Sequence, residues 1–262
     1  MSNAAPTALV TGASAGIGRA FALELARRGH DVVVVARDAD RLAELADEVR
    51  AIGRTPEVLA ADLIDPAGLA TVEARLSDAT RPVDLLVNNA GFATVGPFAE
   101  SDVDAEEREI RLNVLAVSRL TRAVLPQLVA RGTGGVINIS SIAGYQPTPG
   151  NATYGATKAF VTSFTQAVHE ELRGTGVRCL VVSPGFTRTE FQTRAGIDSS
   201  GVPDFMWHRP EDVVEHALRA YDRGKATCVP GLMNVTTAAF TQVMPHALTR
   251  KIAAIVVDRT ER

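Results

Sequence analysis

The chain is 262 residues long, 46% hydrophobic and 22% charged, with a net charge of −3. That length suits one α/β domain, the apolar share supports a sizeable core, and the charged share does not suggest bulk disorder. The near-neutral charge argues against a nucleic-acid footprint, Met1–Pro6 has no basic start leading into an apolar stretch, and no apolar run approaches the ~20 residues of a membrane span.

The elements alternate along the chain. Ala8–Val10 is a short apolar strand ending at Thr11-Gly12, and a helix follows with Ile17, Phe21 and Leu25 on one face and Gly29 as its stop. Val32–Val35 is an unbroken β-branched run, as expected of a strand buried on both faces. Leu42, Leu45, Ala46 and Val49 repeat at helical spacing up to Gly53. Val58–Ala61 is the third strand, with a helix from about Pro66. Val83–Val87 is the fourth strand, ending in Asn88-Asn89-Ala90-Gly91, and a long helical stretch runs from about Val103 to Arg131. Val136–Ile139 ends in Ser140-Ser141, a helix covers about Ala152 to Arg173, and Val177–Val182 ends in Ser183-Pro184-Gly185. The last third holds a helix near Glu211–Tyr221, a strand at Ala226–Val229 and an amphipathic C-terminal segment.

This alternation predicts a parallel sheet covered on both faces. Without a low-complexity linker or internal repeat, it predicts one domain. Ligands of such sheets bind beyond the carboxyl ends of the strands, so the residues just after each strand carry the functional weight. Cys179 and Cys228 lie far apart in apolar runs and read as buried free thiols, which fits a reducing compartment. No histidine has a partner at metal-ligand spacing.

Thr11-Gly12-Ala13-Ser14-Ala15-Gly16-Ile17-Gly18 joins the first strand to the first helix. Glycines there allow a tight turn and bring backbone close to a pyrophosphate, which the helix N-terminus attracts with free N–H groups and a positive dipole end. The spacing Thr-Gly-x-x-x-Gly-x-Gly resembles that of the short-chain dehydrogenase/reductase family, and the resemblance runs from Thr11 to about Thr189. It implies a Rossmann-type, doubly wound α/β fold. That fold has a seven-stranded parallel sheet with helices on both faces, and a substrate-binding or lid region at about 186–262. It also implies a cytoplasmic enzyme that forms a homodimer or homotetramer through the helices at about 103–131 and 152–173.

Tyr154 and Lys158 are four apart on a predicted helix and share a face. A nearby ammonium favours phenolate over phenol, so the pair predicts a tyrosine held below its usual pKa of about 10 and able to exchange a proton with an alcohol or carbonyl. Spacing alone is weak evidence, because Tyr221 and Lys225 have it too. Gly224 interrupts that second pair, whereas Tyr154–Lys158 leads into a long helix and has Ser141 thirteen residues upstream at a strand end. The resemblance picks Ser141 to hold the substrate oxygen, leaves Ser140 structural, and adds Asn113 as the fourth member of a Ser-Tyr-Lys-Asn set. Asn113 would stabilise a distorted helix and a water linked to Lys158.

An acidic residue at the end of the second strand would bond the ribose hydroxyls and repel a 2′-phosphate. Here Ala36 fills that position and Arg37 follows, a guanidinium suited to a phosphate. Arg37 could instead be a solvated helix-start residue neutralised by Asp38, and Ala15 stands where many NADPH users of the family carry a second basic residue. NADP(H) is favoured over NAD(H). The resemblance further implies cofactor contacts from Gly12, Ser14, Gly16, Ile17, Gly18, Asp62, Leu63, Asn89, Ala90, Gly91, Tyr154, Lys158, Pro184, Gly185, Thr187 and Thr189.

Phe92, Ile142, Tyr145, Phe186, Phe191, Met206 and Trp207 follow strands or lie in the irregular stretch near Gly201–His208. They suggest an apolar ketone, aldehyde or secondary alcohol. Trp207 fits either a lid or the core of its loop. The rival readings are a non-catalytic nucleotide-binding sensor or scaffold on the same fold, and an epimerase or dehydratase using the same tyrosine.

Overall fold

A computed structural model of the chain describes residues 5–199, 201–231 and 234. The amphipathic C-terminal segment, and the end of the expected 186–262 lid region, lie outside them. Seven strands form one parallel sheet: β1 (Thr7–Thr11), β2 (Asp31–Ala36), β3 (Pro56–Ala60), β4 (Leu85–Asn88), β5 (Gly135–Ile139), β6 (Arg178–Val182) and β7 (Thr227–Cys228), in the order β3-β2-β1-β4-β5-β6-β7. The chain first winds outward from β1 to β3, then returns to lay β4 on the other side of β1. The strand order therefore switches between β1 and β4, where such sheets bind ligands.

The helices are α1 (Gly16–Arg27), α2 (Ala39–Ala51), α3 (Pro66–Ser77), α4 (Val103–Ile110), α5 (Val117–Arg131), α6 (Ala152–Glu171), the short α7 (Phe191–Ala195) and α8 (Pro210–Asp222). The β2 run shows why both faces are covered. Val32 and Val34 pack on one side with Phe21, Leu25, Leu42 and Leu218, whereas Val33 and Val35 pack on the other with Leu69, Val72 and Leu76. Each buried valine side chain is worth roughly 1.5–3 kcal/mol over leaving it in water.

The long helical stretch predicted over 103–131 is three pieces. Between α4 and α5 the chain runs through a π-helical turn, Arg111–Ala116, with Asn113 inside it. A wider turn of this kind inside a helix is frequent at functional sites. A buried polar ladder holds the middle of the sheet against α5 and α6. Asn88 Nδ2 donates to Thr121 Oγ1 at 3.1 Å and to Asn138 Oδ1 at 2.9 Å, and Asn138 Nδ2 donates to Thr165 Oγ1 at 3.0 Å.

Candidate active site

The glycine turn is fixed from the side by β4. Thr11 Oγ1 accepts from the backbone N–H of Asn89 at 2.9 Å and of Ala90 at 3.0 Å, while Asn89 Nδ2 donates to the carbonyls of Thr11 and Gly12 at 3.0 and 3.3 Å. A side chain at Gly12 would put its Cβ 2.8 Å from Asn89 Nδ2 and 2.9 Å from Ala90 Cα, and at Gly18 it would strike the Gly12 carbonyl oxygen. Gly16 adopts φ +54°, the left-handed region, where L side chains are strained. Ala15 offers no side-chain cap to α1, and its first turn carries no acidic residue. The first N–H groups of α1 therefore face an open end, which fits the pyrophosphate of a dinucleotide.

The other expected cofactor contacts line the same carboxyl edge with different faces. Arg37 is exposed, and its guanidinium lies 3.9 Å from Asp62, not against Asp38. The Asp38 carboxylate instead caps α2 by accepting from the N–H of Arg41 at 3.1 Å. Leu63 is buried in the core beside Leu69, so an adenine could meet only its backbone. Beyond β6 the Pro184 carbonyl accepts from Ile142 N–H at 3.0 Å, Thr187 donates to the Gly185 carbonyl at 3.0 Å, and Thr189 Oγ1 accepts from Phe191 N–H at 3.2 Å.

Ser141, Tyr154, Lys158 and Asn113 converge beyond β4 and β5. Lys158 Nζ lies 5.6 Å from the centre of the Tyr154 ring and donates to the Ile139 carbonyl at 3.0 Å. The Ser141 hydroxyl lies beside the Tyr154 phenol and favours its ionised form, while Ser141 Oγ accepts from Ala143 N–H at 3.1 Å. Asn113 is fully buried; its Nδ2 donates to the Phe92 carbonyl at 2.8 Å and its Oδ1 accepts from Phe92 N–H at 3.2 Å. Gly91 lies between Asn113 and Lys158, and a Cβ there would come 3.0 Å from Asn113 Oδ1 and 3.5 Å from Lys158 Nζ. Ser140 turns away into α6, bonding the Lys158 carbonyl at 2.7 Å and Thr162 Oγ1 at 2.8 Å. Tyr221 is remote from all of these. It lies under Arg178, and its helix ends before Lys225.

The expected lowering of the Tyr154 pKa is not present in this structure. Tyr154 is half-buried, but the surrounding protein pushes its phenol up to about 12, against the opposing effect of the nearby Ser141 hydroxyl. The same desolvation brings Lys158, which is 5% exposed, down to about 8. Burial disfavours both charged forms, and here it outweighs the attraction that the four-residue spacing suggests.

The short chain dehydrogenase family profile matches residues 6–199, which include the glycine turn and all four of these residues. The chain belongs to the short-chain dehydrogenase/reductase family. A short chain dehydrogenase of Pseudocercospora fijiensis is 38% identical over 186 residues, a match that spans 70% of this chain but 60% of that protein's length. Among solved structures, a short-chain dehydrogenase from Sphingobium yanoikuyae in complex with NADPH superposes with a TM-score of 0.83 at 41% identity, covering 92% of this chain and 96% of that one. A bulky-bulky ketone specific alcohol dehydrogenase from Comamonas testosteroni gives 0.79 at 34% identity, covering 94% and 97%.

On the substrate side of this short-chain dehydrogenase/reductase, Phe191 packs on Tyr154 with ring centres 5.6 Å apart. Tyr145 reaches Ser183 Oγ at 3.3 Å. Trp207 anchors its own loop: its indole N–H donates to the Val202 carbonyl at 3.2 Å, and its ring lies 5.5 Å from Phe186 and 5.4 Å from the Arg188 guanidinium. A cleft of about 940 Å³ runs along α1 and α8 to Gly16, Thr189 and Trp207 without reaching Tyr154, so it abuts the glycine turn and not the Tyr154–Lys158 pair. Among the described residues no helix is long and apolar enough to cross a membrane, and no group of three or more His, Cys, Asp or Glu side chains could hold a metal ion.

Sequence reasoning missed two linked pairs. Arg41 of α2 donates to both carboxylate oxygens of Glu190, at 2.9 and 2.8 Å, linking α2 to the segment after Thr189. Thr94 and Glu109 tie the loop after β4 to α4 through hydrogen bonds of 2.8 and 2.7 Å. Glu109 sits four residues before Asn113, a spacing that could have marked the pair.

Proposed function

We propose that this protein is a cytoplasmic, NADPH-dependent reductase of an apolar carbonyl compound, working through Ser141, Tyr154, Lys158 and Asn113. The observation that carries the reading is Lys158 over the tyrosine ring with Ser141 beside the phenol, opposite a glycine turn that only backbone fills. NADPH would supply the hydride. The protein's own residues then handle the oxygen. Ser141 holds the carbonyl oxygen, and Tyr154, a phenol at neutral pH, delivers a proton to it as charge develops. Lys158 keeps a positive charge beside that centre and would bond the nicotinamide ribose. Asn113 holds the π-turn and the backbone of Phe92 in place. Gly12, Ser14, Gly16, Ile17 and Gly18 would cradle the pyrophosphate. Thr187 and Thr189, after Pro184-Gly185, would meet the nicotinamide carboxamide.

The choice of NADPH is supported by Arg37 at the end of β2 and by the NADPH complex of the Sphingobium neighbour. An apolar substrate is supported by Phe191 packed on Tyr154, by Phe92, Ile142, Phe186 and Met206 in the segments that follow the strands, and by the ketone specificity in the Comamonas enzyme's description. A single domain with a lid from about residue 186, and assembly through α5 and α6, complete the reading. The exposed Leu115 and Phe160, the latter stacked on Phe164 with centres 5.6 Å apart, support that assembly.

The test is a panel of ketones and aldehydes of increasing size, with NADPH and NADH as alternative reductants and Tyr154→Phe as control. The reading requires NADPH oxidation that the variant loses. Tight NADPH binding without turnover of any carbonyl would leave a nucleotide sensor in its place.

A further inference from the structure

α4 carries two acidic side chains withdrawn from water, Glu106 at 7% exposure and Glu109 at 0%. Glu109 Oε2 accepts from the backbone N–H of Thr94 at 2.8 Å and from its hydroxyl at 2.7 Å, and Oε1 accepts from Asn113 Nδ2 at 3.3 Å. Three donor groups converge on this carboxyl, as on an ionised carboxylate, which only accepts; burial and then Glu106 push its pKa up, against the Thr94 bonds and Lys158. A buried anion is costly unless a counter-charge answers it. The titratable groups that face Glu109 are Glu106 on its own helix, of the same sign, and Tyr154 and Lys158 on α6. Lys158 is the cation among them. It is itself buried, bonded only to a neutral carbonyl at 3.0 Å, and among the described residues makes no ion pair. Asn113 bridges the two: it bonds Glu109 on one side and meets Lys158 across Gly91 on the other.

We propose that Glu109 is the ionised counter-charge of Lys158, acting across Asn113, and thereby a positioning residue for proton transfer at Tyr154. The proposal rests on the reductase reading for its purpose but not for its test. Glu109 favours the protonated forms of both Lys158 and Tyr154. Those are the forms that carbonyl reduction uses, so one carboxylate outside the reacting shell serves both.

The chain has three lysines, Lys158, Lys225 and Lys251. Protein labelled at lysine 13Cε therefore gives three NMR resonances, and Lys158→Arg assigns the relevant one. In the native protein, without substrate or cofactor, Lys158 is expected to titrate near 8. Glu109→Gln should lower that midpoint by about one unit, and Glu109→Asp, which keeps the charge, should restore most of it. An unmoved Lys158 midpoint in Glu109→Gln overturns the proposal, as does a Glu109→Asp midpoint shifted as far as that of Glu109→Gln. Should Glu109→Gln fail to fold, 13Cδ-glutamate labelling of the native protein decides: Glu109 ionised at neutral pH supports the proposal, and Glu109 protonated overturns it. Because none of these readouts uses turnover, they stand even if the carbonyl panel shows no activity. Where turnover is found, Glu109→Gln should lower kcat, leave the carbonyl KM in place and move the alkaline limb of the pH profile toward acid.

Discussion

The ammonium nitrogen of Lys158 lies over the face of the Tyr154 ring, 5.6 Å from its centre, while its hydrogen bond runs to the Ile139 carbonyl at 3.0 Å. The lysine thus bonds backbone and not the phenol, whose hydroxyl has Ser141 beside it. Removing that hydroxyl should cost catalysis and little else. Tyr154→Phe is expected to lower kcat by about 10²–10⁴-fold, the usual share of a positioned proton donor. Its NADPH dissociation constant and melting temperature should stay near native. A variant that keeps a tenth of native turnover would remove Tyr154 from the proposed role.

The two displaced pKa values set a pH limit. Reduction needs Tyr154 protonated and Lys158 charged; Lys158 titrates first, near 8, and Tyr154 only near 12. The kcat/KM for the carbonyl should therefore be level below about 8 and fall as pH rises through it. Lys158→Arg, a side chain that stays charged, should move that limb upward even if its plateau drops. A native limb that Lys158→Arg leaves in place would show that another group sets it.

Arg37 has no hydrogen-bonded partner to give up, since Asp62 stands 3.9 Å away. Its fork is free for a phosphate. Losing one charge-assisted bond of that kind corresponds to roughly a 10–100-fold change in kcat/KM. Arg37→Ala should show that loss with NADPH and almost none with NADH. Equal losses with both would mean that Arg37 supports the fold and not the choice of cofactor.

Arg41 and Glu190 join α2 to the segment after Thr189, and Thr189 Cγ2 is only 2.9 Å from where a Gly16 Cβ would stand. The link crosses the mouth of the cofactor cleft. Both groups are solvent-accessible, so it should be modest and salt-sensitive. Glu190→Gln is expected to speed NADPH release about two- to fivefold at low salt, with the difference fading at high salt. Stopped-flow displacement measures it, and an unchanged release rate would show that the ion pair does not restrain the cofactor.

The fold was legible because its signals are short and local. The Val32–Val35 run, the Thr11–Gly18 turn and the alternation of elements each specify a piece that the sheet then assembles. Tyr154 was separable from Tyr221 because a glycine interrupts one pair and not the other. The polar interior was not legible. In sequence Asp104-Ala105-Glu106-Glu107-Arg108-Glu109 is only part of a long helical stretch, with no local mark of burial, yet two of its acids are buried once α4 packs on α6. The Tyr154 pKa failed for the same reason: spacing reports a neighbour, but only packing reports how much water has been removed. Arg41–Glu190 spans 149 residues, and no local pattern announces a contact of that range.

The π-turn at Arg111–Ala116 also sets the phase of everything after it. An α-helix turns about 100° with each residue, so deleting one residue from a continuous helix rotates all that follows by that angle. Here the wide turn takes up the extra residue, so α4 can aim Glu109 at Thr94 while α5 still buries Leu120, Val124 and Leu128 under the sheet. A single-residue deletion within 111–116 would leave a plausible, regular helix. It would also force a choice between the catalytic edge and the core, which makes this turn a place where relatives can change length only by rebuilding both.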